Sequence, residues 1–267
     1  MCALAAISNS LYGADGEVLI SQNDALVGNV TPGDAPGFPV TISRPGSYRL
    51  SGNLTVPDTN TTAIQITADD VTLDLNGFRI AGPIVCNPDP TTCNASGTGA
   101  GVQSVGSGTT FPRGIRLLNG TVRGMGLVGV LLLGDGSVVE RVNASGNAGP
   151  GIVVGPDGTV AESVASVNII AGIVGAAVRN SSADKNSGMG IFIRFDGVAI
   201  GNRANSNGTS GIVAANSSTL TGNTANNNKN FGIDARCPSS IVGNTTAANQ
   251  VANIHTDGVC TLADNAQ

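Results

Sequence analysis

The stretch "LTGNTANNNKNFGID", residues 220–234, holds seven Asn or Thr among its fifteen positions, and four of its Asn fall within five. Such composition ordinarily marks a solvated, disordered tract. Yet the chain around it is rich in Ile, Val and Leu. Whether these asparagines belong to a linker or to a fold decides how the whole sequence is read.

Self-similarity answers the question. A Gly-Ile or Gly-Val pair recurs at Gly129, Gly151, Gly172, Gly190, Gly211 and Gly232, and Asn253 takes the same place in "NI". The spacings are 22, 21, 18, 21, 21 and 21 residues. A second column, Asn147, Asn168, Asn186, Asn207, Asn228 and Asn249, is spaced 21, 18, 21, 21 and 21. A third, Asn202, Asn223 and Asn244, shares the period. Helical repeats need about 33 residues or more, and the leucine-rich consensus is missing. The period predicts an all-β solenoid of short strands in coils of roughly 21 residues, with Gly, Asn and Asp at the turns.

In a solenoid, equivalent residues of successive coils stack about 4.8 Å apart. Val130, Ile152, Ile173, Ile191, Ile212, Ile233 and Ile254 then form one inward row. Strand alternation adds a second: Leu132, Val154, Gly175, Ile193, Ala214, Ala235 and Thr256, which shrinks toward the C-terminus. Stacked Asn can pass amide hydrogen bonds from coil to coil, donor to acceptor. The "TANNNKN" run therefore reads as a turn in an ordered coil.

Composition sets bounds. The 267 residues are 40% apolar, 12% charged and 3% aromatic, with 38 Gly and no Trp, so a core must come from aliphatic and small side chains. A net charge of -5 with this apolar share argues against wholesale disorder. The acidity, and a lysine complement limited to Lys185 and Lys229, exclude a nucleic-acid binder, which needs clustered cations. No run approaches the ~20 apolar residues of a membrane-spanning helix.

The opening "MCALAAISNSLYGADGEV" reads as the remnant of an export signal or an N-terminal arm over 1–19, followed by a β-helix domain over 20–267. Cys86 and Cys93 bracket a turn-rich loop, and Cys237 and Cys260 lie 23 residues apart. Two disulfides in an exported protein are expected, with buried free thiols as the alternative; no CxxC suggests zinc. Cys2 is left over. Residues about 83–112 interrupt the regular coils as a long, disulfide-closed insertion. It is either a cleft wall or a tolerated surface insertion.

Residues 32–82, with "PGDAPGFPVTISRPGSYRLSGNLTV" and "ADDVTLDLNGFRIAG", then "NGTVRGMG" and the Gly-Ile coils, resemble exported bacterial right-handed parallel β-helix repeat proteins of the pectin-lyase-like superfamily. The resemblance covers most of the chain. It implies a single-stranded right-handed parallel β-helix, secreted or at the cell surface. Catalytic members of that superfamily act on acidic polysaccharides, and their signatures are missing here: there is one His and no Asp-Pro-His-Asp. Whether the chain is an enzyme, a polysaccharide lyase or glycoside hydrolase, stays open at this point. The pair Asp69-Asp70 reads as a turn before a strand.

The outward rows of the Gly-Ile strand are Leu131, Val153, Val174, Phe192, Val213, Asp234, His255 and Leu133, Gly155, Ala176, Arg194, Ala215, Arg236, Asp257. The resemblance places a substrate cleft on this sheet. At its polar end, His255, Asp234 and Asp257 are candidate catalytic residues, and Arg194, Arg236 and Phe192 candidate substrate-binding residues. A structural salt-bridge cluster is the alternative. Asp-Gly pairs at Asp135, Asp157 and Asp196 read as tight turns, with stacked Ca²⁺ ligands as the alternative; no cofactor or metal is expected. The expectation is an extracellular protein that binds, and by extension cleaves, a polysaccharide on this face. The alternative is a non-catalytic structural or surface protein that packs against another copy of the chain or a partner through it.

Overall fold

A computed structural model describes residues 16–89 and 91–267. Most of the 1–19 segment, read above as an export-signal remnant or arm, lies outside the described residues.

The chain winds as a parallel solenoid of three-residue strands lengthened where a coil bends without a break. Strands such as Ile64–Ile66, Val130–Leu132, Ile152–Val154 and Ile212–Ala214 bury their first and third side chains and leave the middle one half-exposed. The inward Ile row pairs in register: Ile152 with Ile173, then Ile191, Ile212, Ile233 and Ile254. On a second wall, ten successive parallel pairings run from Val18–Ile20 to Thr261–Ala263 and so join eleven rungs. The core is almost entirely aliphatic, as the scarcity of aromatic residues requires; Tyr48 is its one buried aromatic side chain, and Phe38 and Phe78 pack against its edge.

Both asparagine columns are hydrogen-bonded ladders. The Nδ2 amide of each Asn donates to Oδ1 of the Asn one coil on, from Asn147 through Asn168, Asn186, Asn207 and Asn228 to Asn249, at 2.9–3.1 Å. The same Oδ1 atoms also accept the preceding Asn backbone N–H. The second Nδ2 hydrogen goes to a buried alanine carbonyl, Ala144, Ala165, Ala183, Ala204 or Ala225. From Asn168 to Asn249 each amide thus has both donor hydrogens and its acceptor oxygen engaged. The second ladder runs Asn202, Asn223, Asn244 and on to Asn265. In the coils before it, Ser163 and Ser181 stand in the same column and accept the equivalent backbone N–H bonds.

The glycine and asparagine columns share a period because they touch. A Cβ on Gly190, Gly211 or Gly232 would sit 2.6 Å from the Nδ2 of Asn207, Asn228 or Asn249. In the last coil Asn253 replaces the glycine, and its own Oδ1 accepts Asn249 Nδ2 at 3.0 Å.

The 18-residue coil is short at one turn only. Gly175 pairs with Ile193 and Ala177 with Val198, so Arg194 to Gly197 occupy the span that Ala176 fills alone one coil earlier. Phe195, at this extra turn, is 66% exposed.

The 83–112 segment corrects the expectation of one long interruption. It leaves the coil twice: first as an antiparallel hairpin of Cys86–Pro88 and Thr91–Cys93 joined by the Cys86–Cys93 disulfide, and again in a smaller loop that Ser107 and Thr110 close by an antiparallel bridge. Val102–Ser104 is a regular rung, paired with Ile64–Ile66 on one side and with Val130 and Leu131 on the other. The hairpin rests on the asparagine-ladder turns, where Thr91 Oγ1 donates to the Lys185 carbonyl at 2.7 Å. It does not cover the outward Gly-Ile face. At the N-terminal end, Gln22–Val27 forms a short helix with a Ser21/Asp24 capping box, and Gln22 bonds Thr55 N–H and C=O through its amide. Cys237 and Cys260 form the second disulfide.

Replacing Asn207 with Leu removes the acceptor for Asn186 and the donor to Asn228 within the buried stack. We predict a loss of about 1–3 kcal/mol in unfolding free energy for the stranded amides. Denaturant titration of Asn207→Leu measures it, and an unchanged midpoint would contradict the ladder's role.

Candidate functional site

The register that aligns the inward Ile row also stacks the outward one. Leu131, Val153, Val174, Phe192, Val213, Asp234 and His255 follow one another across seven coils. The first five are half-buried and apolar, and the last two are polar. At this polar end lies an open groove of about 500 Å³ lined by Phe192, Phe195, Val213, Ala214, Ala215, Asp234, Arg236, His255 and Asp257. Of the six expected site residues, five line it. The exception is Arg194, whose buried Nε has no hydrogen-bond partner.

Asp234 and His255 form the groove's polar centre. They are partners in the parallel pairing of Phe231–Ala235 with Ala252–Thr256, so their side chains leave the sheet side by side. His255 Nδ1 lies 2.8 Å from Asp234 Oδ1, with the imidazole 47% and the carboxylate 33% exposed. A carboxylate is acceptor-only, so the bond puts the hydrogen on Nδ1 and leaves Nε2 as the lone-pair nitrogen. Phe231 stacks on the imidazole with ring centroids 4.5 Å apart and planes 12° from parallel. The ring is therefore held in both azimuth and plane.

Asp257 behaves differently from the expected Arg236–Asp257 stack. Its Oδ1 accepts the Cys237 backbone N–H at 2.8 Å, and no ion pair joins it to Arg236 among the described residues. A turn N–H at fixed distance is a better partner than a long, exposed guanidinium, whose pairing in water is worth little. The Cys237–Cys260 disulfide ties the same turn to the final coil.

Phe195 and Phe231 were not foreseen. Strand alternation places neither: Phe195 sits in the extra turn and Phe231 just before the repeat glycine. The available signal was scarcity, since three of only six Phe fall within residues 192–231. The Asp-Gly positions are turns: Gly136 and Asp196 have φ of 65° and 56°, and Asp135 pairs with Arg113. Among the described residues no cluster of three or more His, Cys, Asp or Glu is arranged to hold a metal ion. Asp70 has φ of 53°, and Asp69 accepts the Arg113 N–H at 2.8 Å, the geometry of a turn.

A family model described as "Right handed beta helix region" matches residues 100–251. Among solved structures, pectate lyase Pel9A superposes with a TM-score of 0.59 at 13% identity, over 91% of this chain and 78% of that one. The mannuronan C-5 epimerase AlgE4 A-module of Azotobacter vinelandii gives 0.49 at 15% identity, over 94% and 84%. Dettilon tailspike protein gives 0.47 at 13%, over 91% of this chain and 60% of that one. At these identities the likeness is one of fold. No curated protein matches the chain in sequence.

His255 is the chain's single histidine, so its imidazole nitrogens can be observed without assignment. Nitrogen-15 NMR of the neutral ring is predicted to find the proton on Nδ1, and to lose that preference in Asp234→Ala. A proton on Nε2 in the parent chain would contradict the assignment.

Proposed function

The chain belongs to the right-handed β-helix family, and from that premise we propose that it binds a polysaccharide along the groove on its outward Gly-Ile face. The observation that carries the reading is a groove walled by Phe192 and Phe195 that ends on the 2.8 Å Asp234–His255 bond. Its lining comes from four successive coils, a span of about 14 Å between the outer rungs. That shape suits an extended polymer better than a compact small molecule. The two Phe rings offer flat apolar surface for the C–H faces of sugars, and a few convergent polar groups fix orientation. Two disulfides fit an extracytoplasmic setting, where such polymers occur. The similar fold of a pectate lyase supports the substrate class by analogy.

In this reading His255 Nε2 accepts a proton or a hydrogen bond from the bound sugar, and Asp234 holds the ring and steadies it when charged. Asp257 is committed to the Cys237 turn and shapes the wall. A second reading rests on the apolar row Leu131, Val153 and Val174 beside the groove, which suits packing against another copy of the chain.

Affinity electrophoresis against a panel of acidic and neutral glycans tests the proposal. At least one polysaccharide should retard the chain. Phe195→Ala and His255→Ala should each weaken retention by about tenfold, the scale of one lost contact, with unfolding unchanged. No retention by any polymer, together with concentration-dependent assembly that Phe192→Asp abolishes, would overturn it in favour of the second reading.

A further inference from the structure

We infer that the polymer in this groove is an uncharged glycan and not a polyuronate; this rests on the binding reading above. The groove's formal charges are Asp234 and Asp257 against Arg236, with His255 counted neutral, which leaves it one unit negative. At the neighbouring turn Arg194 and Asp196 cancel. No lysine offsets the excess: Lys229 lines a separate cavity beside the hairpin, and Lys185 receives the hairpin's Thr91 on its carbonyl. The whole chain, groove included, carries a net -5. A polyuronate brings one carboxylate per sugar, and across four coils several would face Asp234 and Asp257 with Arg236 alone to meet them. Like charges placed together in a cleft slow encounter and weaken binding.

Hydrogen-bond chemistry points the same way. Apart from Arg236, the polar side-chain atoms turned to the groove are acceptors: His255 Nε2 and the carboxylate oxygens of Asp234 and Asp257 not already bonded. Both polymers carry ring hydroxyls, but at C6 a neutral hexose offers a hydroxyl donor where a uronate puts an acceptor-only carboxylate. Phe192 and Phe195 add apolar surface that a neutral ring can cover without losing a hydrated charge. Such a chain also lacks the carboxylate that acidifies the C5 proton for β-elimination. His255 then serves as a hydroxyl acceptor, which its Nδ1–H tautomer suits.

The test compares the full chain's affinity for polygalacturonate, alginate, carboxyl-reduced polygalacturonate, galactomannan, xyloglucan and mixed-linkage β-glucan. Each is measured by calorimetry at about 20 mM and about 500 mM NaCl, a range over which screening removes long-range charge effects. We expect a neutral polymer to bind with affinity changing less than about twofold between the two salts, and both polyuronates to bind at least about tenfold more weakly. Tighter binding of a polyuronate that falls with salt and is lost in Arg236→Ala would overturn the inference while leaving the binding reading intact. Binding of none of the six would overturn the binding reading, and this inference with it.

Discussion

The structure depends on the hydrogen bonds between stacked asparagine amides. A buried primary amide is costly unless its donors and acceptor are met. Here Asn168, Asn186, Asn207 and Asn228 are almost completely buried, and each finds its partners in the coils on either side. A slip of one residue in any coil would strand two amides and turn the inward Ile row to solvent. From Gly129 to Gly232, the glycine before each inward Val or Ile is part of the same device, because its missing side chain makes room for the amide. Alanine plays a matching part on the other side, where its carbonyl takes the remaining amide hydrogen.

Register, once locked, decides what the surface can do. Asp234 and His255 are 21 residues apart in the chain and become hydrogen-bonded neighbours only because their coils are aligned. Phe231 reaches the imidazole from the coil that also supplies Asp234, so one five-residue strand both orients the ring and supports its face. The single short coil adds a local feature. By restoring three residues in the next coil, the chain raises Phe195 beside the groove without disturbing the pairing on either side. A regular scaffold thus carries an irregular wall.

Much of this was legible because a solenoid turns sequence spacing into spatial adjacency. The Ile row, the ladder from Asn147 to Asn249 and the outward row to His255 follow from one period and strand alternation. What escaped lay where the chain departs from both. Ser163 and Ser181 extend the second ladder, yet a hydroxyl leaves no asparagine for a column search to find. Val102–Ser104 hid inside a Gly- and Ser-rich stretch whose composition suggests a loop, although two neighbouring rungs hold it as strand. Arg236 and Asp257 are close in register, but a backbone N–H competes for the carboxylate, and no pattern of side chains reveals that. Arg194 begins the extra turn, where alternation no longer says which way a side chain points.

The central claim is that distance along the stack counts coils and not residues. Spin labels at Arg116, Thr219 and Thr261, exposed positions of one column on the second wall, measure it by double electron–electron resonance. Arg116 stands five rungs from Thr219 and seven from Thr261, so the account predicts backbone separations of about 24 Å and about 34 Å at the strand spacing. Labels equally far from Arg116, or spread over a broad distribution, would contradict it.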